Sequence, residues 1–130
     1  MKAFSRQSLQ VVEDFARSLD LRAEASPDGS FSFAFEYSGT FTLTASGDGK
    51  RTIASLSRWP VREEARGELR LLECAGLEPT SSTLLHAGLA RDGSYVVSIQ
   101  IDQDALDLPR LDTVFRQLAQ TQEQVFSNRA

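Results

Sequence analysis

The chain has a single cysteine, Cys74, and a single histidine, His86. One cysteine excludes an internal disulfide, and Cys74, placed in an apparent helix, fits a reducing compartment. With no second Cys or His at ligand spacing, a zinc-type site is excluded as well. No stretch approaches the roughly 18 to 20 consecutive apolar residues that a membrane-spanning helix needs. The opening residues, Met1 to Gln7, turn polar at once, without the apolar centre of a cleaved signal. Positive charge is also in deficit: 14 Lys and Arg against 18 Asp and Glu give a net charge of −4. That balance argues against nucleic acid, which draws on a basic stripe, and against an anionic membrane surface. It suits a basic or apolar protein partner.

What is present is an ordered alternation of periods. A chain of 130 residues builds one core, so residues 1–130 are expected to form a single domain. From Ser5 to Leu19, the residues Leu9, Val12, Phe15, Ala16 and Leu19 recur at helical spacing, with Ser5 as N-cap. After the Ser26-Pro27-Asp28-Gly29 break the period becomes two. Phe31, Phe33, Phe35 and Tyr37 alternate with small or polar residues, and Phe41, Leu43 and Ala45 alternate with threonines. A loop of Ser38 to Thr40 sets Tyr37 opposite Phe41 and Phe35 opposite Leu43, keeping the apolar residues on one face. Ser46 to Lys50 turns into a third strand, Arg51 to Trp59, with Ile53 and Trp59 on one face and Ala54 and Leu56 on the other.

Pro60 opens a second helix with the stripe Val61, Ala65, Leu69 and Leu72, closed by Gly76. Gly67 within it costs about 1 kcal/mol relative to Ala, and is either a site of close approach by another backbone or a tolerated defect. A polar loop, Glu78 to Ser82, leads to a hairpin, Leu84 to Ala90 and Tyr95 to Ile101, around Asp92-Gly93. A tight turn there sets Ala90 opposite Tyr95 and His86 opposite Ile99. The last helix runs from about Leu108 to Asn128, with Asp107 as N-cap. The fold class expected is α+β, in the order αβββαββα, with an antiparallel twisted sheet packed against helices.

None of the reactive side chains forms a catalytic set. His86 stands alone on a strand beside apolar neighbours. Cys74 lies near a helix C-terminus beside Glu73, where the dipole opposes a thiolate. Glu63 and Glu64 suit the positive end of the second helix. Gly47-Asp48-Gly49-Lys50 lacks P-loop spacing and sits between antiparallel strands. Asp102, Asp104 and Asp107 lack the glycine and the terminal glutamate of a calcium loop. The expectation is a non-enzymatic protein without cofactor or metal, acting through surfaces.

Six of the eight phenylalanines fall before position 42, and Phe31, Phe33, Phe35, Phe41 and Leu43 share one sheet face. Two readings stand. Either the first or last helix covers that face as core, or part of it, or its edge, stays open to an extended partner segment.

The order of elements resembles the class I chaperones of bacterial type III secretion (Tir-chaperone-like). The segments that carry the resemblance are Glu68-Leu69-Arg70-Leu71-Leu72-Glu73, then Leu89-Ala90-Arg91-Asp92-Gly93-Ser94-Tyr95-Val96-Val97, and the closing Leu108-Pro109-Arg110-Leu111 with Phe115 and Leu118. One departure is the small pair Ala75-Gly76, where many relatives carry a polar residue. The resemblance implies a homodimer in the bacterial cytoplasm that binds the N-terminal segment of a secreted effector, in extended form, and keeps it soluble and export-competent. It assigns effector contacts to Phe31, Phe33, Phe35, Phe41 and Leu43, and the dimer interface to Gly67, Leu69, Leu72, Leu85, Ala87 and Leu89. It implies no nucleic-acid or membrane partner. The alternatives are a regulatory or adaptor domain of the same fold binding a folded partner, or a small-molecule-binding α+β domain using His86, Glu63 or Glu64.

Overall fold

The computed structural model describes residues 4–60, 65–78 and 83–126. Helix α1 (Arg6–Ser18) is followed by strands β1 (Phe31–Phe35), β2 (Gly39–Ala45) and β3 (Arg51–Arg58). Then come α2 (Ala65–Glu73), β4 (Gly76–Glu78), β5 (Thr83–Leu89), β6 (Tyr95–Asp102), a single 3₁₀ turn (Gln103–Ala105) and α3 (Leu108–Phe126). The strands form one six-stranded sheet in the order β1-β2-β3-β6-β5-β4, antiparallel at every pairing. The α+β class holds, with one strand more than the order read from the sequence. Gly76, expected as the terminator of α2, instead opens β4 with φ +135°. Three residues are too few to show an alternation. Val61, Glu63 and Glu64, the loop at 79–82 and the end of the last helix beyond Phe126 lie outside the described residues.

One face of the sheet carries the core. Phe33, Phe41, Leu43, Leu56, Val97, Ile99 and Leu85 are buried on it. Helix α3 lies across the central strands β3 and β6, α1 packs beside α3, and α2 packs against α3 and β5. The α1 stripe is as the spacing predicts: Val12, Phe15 and Ala16 are buried, and the Ser5 hydroxyl accepts from the Ser8 amide at 3.1 Å. The N-cap of α3 is likewise met, since Asp107 Oδ1 accepts from the Arg110 amide at 2.8 Å. In the C-terminal third of α3, Gln122 is fully buried, and its Nε2 donates to the carbonyls of Leu56 at 3.0 Å and Tyr95 at 2.8 Å. That side chain fastens α3 to both central strands.

Three loops share one construction. Ser26, Ser46 and Ala90 each accept a hydrogen bond from a glycine three residues on: Gly29 at 2.8 Å, Gly49 at 2.9 Å and Gly93 at 3.0 Å. All three glycines have positive φ. The aspartate before each glycine accepts from the amide that follows it: Ser30 to Asp28, Lys50 to Asp48 and Ser94 to Asp92. The Asp supplies an Asx acceptor and the Gly the left-handed backbone.

This construction corrects the second hairpin. The Ala90 amide donates to Ser94 O at 2.9 Å, so the loop is Arg91-Asp92-Gly93 rather than a two-residue turn. Leu89 therefore pairs with Tyr95, Leu85 with Ile99 and His86 with Ser98, one residue from the expected register. The shift puts Leu85, Ala87 and Leu89 on the face of Ile99, Val97 and Tyr95, as a single buried face demands. In the first hairpin the faces are as expected but the pairs differ: Phe31 faces Leu43, Phe33 faces Phe41 and Phe35 faces Gly39. Gly39, at φ +104°, sets this register; a Cβ there would sit 2.2 Å from the Ser57 carbonyl oxygen. Tyr37 is left in the turn, and Trp59 lies beyond the end of β3.

Candidate partner and dimer surfaces

The aromatic face read as a partner surface is packed. Phe31, Phe33, Phe41 and Leu43 are all buried. Phe15 of α1 meets Phe33 at 5.8 Å and Phe41 at 5.6 Å between ring centroids, and Phe115 of α3 meets Phe41 at 5.0 Å and Phe35 at 4.9 Å. Both the first and the last helix cover the face, through edge-to-face contacts at Phe15–Phe33 and Phe115–Phe41 and tilted ones at Phe15–Phe41 and Phe115–Phe35. Phe35 and Phe115 remain only partly buried, at the rim. Beside them runs the outer edge of β1, which carries one isolated bridge, Ala25 to Phe31, among the described residues. From Ser32 to Phe35 that edge pairs with no further strand among the described residues.

The residues assigned to a dimer interface divide into two sets. Gly67 and Leu85 are buried within the chain, Gly67 against Tyr95 and Leu85 opposite Ile99. The close approach that Gly67 permits is thus to Tyr95 of its own chain, not to a second backbone. The buried line of α2 runs through Gly67 and Leu71, whereas Leu69 and Leu72, placed in the stripe by spacing, are 57% and 55% exposed. Leu84 and Leu89 are about half exposed, and Ala87 is half-buried. Strand β4 pairs with β5 only from Thr83 to Leu85, so the outer edge of β5 from His86 to Leu89 has no neighbour among the described residues. A shallow groove of about 270 Å³ lies there, lined by His86, Gly88, Leu89, Val96 and Ser98. Leu69, Leu72, Leu84 and Leu89 stand exposed around this end of the sheet.

Reactive groups do not converge. His86 is exposed, and the described residues hold no group of His, Cys, Asp and Glu able to ligate a metal. Burial, with Glu73 beside it, pushes the Cys74 thiol up, and its Sγ donates to Arg70 O at 3.2 Å. The Ser46 hydroxyl and Lys50 amide hold Asp48 below the usual carboxylate range, and the Ser94 amide and hydroxyl do the same for Asp92. Both are turn groups. No described helix is long and apolar enough to cross a membrane. Sequence reasoning missed two exposed aromatics at one end of the sheet, Tyr37 at 78% and Trp59 at 60%. Each lies beyond the last paired residue of its strand, Phe35 in β1 and Arg58 in β3, so the alternation misassigned them to faces.

Residues 9–126 match the type III secretory system chaperone SycN family, and the chain belongs to that family. No curated protein matches it in sequence. Among solved structures, it resembles the Yersinia pestis type III secretion chaperone SycH in complex with a stable fragment of YscM2. There the identity is 14% and the TM-score 0.65, over 91% of this chain and 98% of that one. It also resembles a chain of the HopA1-SchA chaperone-effector complex, at 18% identity and TM-score 0.66 over 92% and 98%. A chain of the ExsC-ExsE complex is similar at 17% identity and TM-score 0.70, over 94% and 92%. These likenesses establish the fold.

Proposed function

We propose that the protein binds, as a homodimer in the bacterial cytoplasm, the N-terminal segment of a secreted effector and holds it extended, soluble and competent for type III export. The observation that carries this reading is the family match across residues 9–126. Relatives of the same fold support it, being solved with partners, SycH with a YscM2 fragment and SchA with HopA1. The mechanism is binding without turnover, so no catalytic residue or cofactor is assigned.

Two open edges divide the work. The β1 edge, with the rim of Phe35 and Phe115, takes the effector: main-chain pairing supplies affinity and the rim supplies apolar contact. Phe31, Phe33, Phe41 and Leu43 support that rim from the core. At the opposite edge, Leu69, Leu72, Leu84 and Leu89, with Ala87 and the uncovered part of β5, form the dimer seam. An apolar band of this kind is unfavourable in water and is stabilised by a second copy. Gly67 and Leu85 hold α2 and β5 in position behind it.

The test is capture from the native bacterium with tagged protein, followed by truncation of the captured partner. Recovery of a secreted protein, abolished by removing its N-terminal segment, is expected. Recovery only of a folded regulator that binds equally well without that segment would overturn the reading in favour of an adaptor domain.

A further inference from the structure

Along β5 the backbone groups alternate between two edges. The Ala90 amide donates to Ser94 O at 2.9 Å, so Ala90 turns its amide and carbonyl toward β6. Gly88 and His86 do the same, and Leu85, Ala87 and Leu89 turn theirs the other way. Gly76 of β4 lies opposite Leu85 and takes up its groups. Those of Ala87 and Leu89 meet no strand among the described residues. Between these two stands Gly88, for which the chain itself supplies no reason. Its backbone is not left-handed, and a Cβ built there would meet nothing within 4 Å. A glycine inside a strand weakens it, and marks a place where another backbone or a ligand comes close.

We propose that β5 pairs antiparallel with β5 of a second copy about a two-fold axis at Gly88, and that the partner's His86 seats in the groove over Gly88; the inference rests on the reading that the chain works as a homodimer. The backbone selects this register. With the axis at Gly88, Ala87 lies opposite the partner's Leu89, and four hydrogen bonds use every free group of both residues. With the axis at Ala87, Leu89 would need the partner's Leu85, which Gly76 already holds, and two bonds remain. With the axis at Leu89, the pairing would run into Arg91, where the chain has left the strand for its turn. Gly88 then meets the partner's Gly88 in a pair without hydrogen bonds, where the backbones stand about 4.5 Å apart. On the same face the partner's His86 lies opposite Ala90 and diagonal to Gly88, within reach of an aromatic ring. There the groove of about 270 Å³ is floored by Gly88, Ala90, Val96 and Ser98, and a side chain at position 88 would fill it. The pairing also sets a scale for the effector. It runs the sheets together with ten strands from one β1 to the other, so the two β1 edges stand about 43 Å apart. One segment that engages both needs about 13 extended residues between them.

The experiment is cysteine cross-linking of the full chain in a Cys74→Ser background, with air oxidation catalysed by copper–phenanthroline and non-reducing gels as readout. Gly88→Cys is expected to link to itself rapidly, because Cys fits that position and a pair without hydrogen bonds has disulfide spacing. A mixture of His86→Cys with Ala90→Cys should link at least about tenfold faster than either variant alone. Ala87→Cys should link slowly, its two copies being about 8 to 9 Å apart, beyond the roughly 7 Å that a disulfide spans. Faster linking of Ala87→Cys than of Gly88→Cys, or equal rates at all positions, would overturn the axis. The seat is read from the His86 ring signals, a single set because the chain has one histidine. They are expected to differ between the dimer and the Leu69→Asp, Leu72→Asp monomer, and identical signals would overturn the seat. A light-scattering dimer that lacks the Gly88 link would overturn this pairing and leave the homodimer reading standing. A wild-type chain that stays monomeric would overturn both.

Discussion

Gly67 of α2 faces Tyr95 of β6 so closely that a Cβ built on the glycine would lie 2.8 Å from the tyrosine hydroxyl. Tyr95 cannot easily retreat, being 3% exposed and stacked on Phe126 at 5.3 Å between centroids. The contact seats α2 on the sheet and turns Leu71 inward and Leu69 and Leu72 outward, which leaves those two leucines exposed.

Gly67→Ala is therefore predicted to leave stability nearly unchanged, because the helical gain of about 1 kcal/mol is offset by displacing Tyr95. In a Tyr95→Phe background the obstructing oxygen is gone, and the same substitution should stabilise by up to about 1 kcal/mol. Urea unfolding of the four proteins measures this coupling; equal effects of Gly67→Ala in both backgrounds would show that the contact is not limiting.

Gln122 supplies a second test of how the layers are joined. Gln122→Ala removes two buried hydrogen bonds to strand carbonyls and is expected to destabilise by roughly 2 kcal/mol. Gln122→Glu, which sets a carboxylate against the carbonyls of Leu56 and Tyr95, should be the more damaging of the two. Thermal unfolding reads both, and a milder effect for Glu than for Ala would contradict the assignment.

The Asp-Gly turns carry a pH signature. Asp48 and Asp92 have carboxyls held below their ordinary range by hydrogen bonds that exist only in the folded chain. A group with a depressed folded-state pKa stabilises fully above its unfolded value of about 3.9, and that stabilisation disappears as pH falls through the folded value. Replacing both residues with Asn, which keeps an acceptor oxygen, should flatten the loss of stability between about pH 5 and pH 2. Denaturation midpoints across that window, equally steep in wild type and variant, would contradict it.

Much of the fold is legible in the residues. Alternation from Phe31 to Phe35 and from Phe41 to Ala45 identifies two strands and their common face, and Ser5 and Asp107 mark helix starts correctly. The hairpin around Asp92 is visible, but its register is not, because a three-residue loop ending in a left-handed glycine and a two-residue turn share the Asp-Gly pair. Strand β4 is hidden by its shortness. The surface was harder to read. Periodicity marks a residue as apolar at a given angle, and in α2 two adjacent angles, through Leu71 and through Leu72, are equally apolar; only Tyr95, supplied by a distant strand, decides between them. The same limit applies to the aromatic face, where spacing cannot say which of two helices lies on top.

The seam and the core of α2 are separable by substitution. Leu69→Asp and Leu72→Asp change exposed positions and are predicted to leave a folded, soluble monomer, whereas Leu71→Asp places an unpaired charge in the core and should unfold the chain. Circular dichroism with sedimentation distinguishes the cases. An unfolded Leu72→Asp protein would place that residue in the core, and a well-behaved dimer would remove it from the seam.

The central claim, that two copies hold one extended effector segment, is tested most directly by light scattering on the purified complex with its captured partner. The account predicts a mass equal to two copies of this chain plus one partner, falling to single chains without partner in the Leu69→Asp, Leu72→Asp double variant. A complex of one copy with one partner, persisting unchanged in that variant, would contradict it.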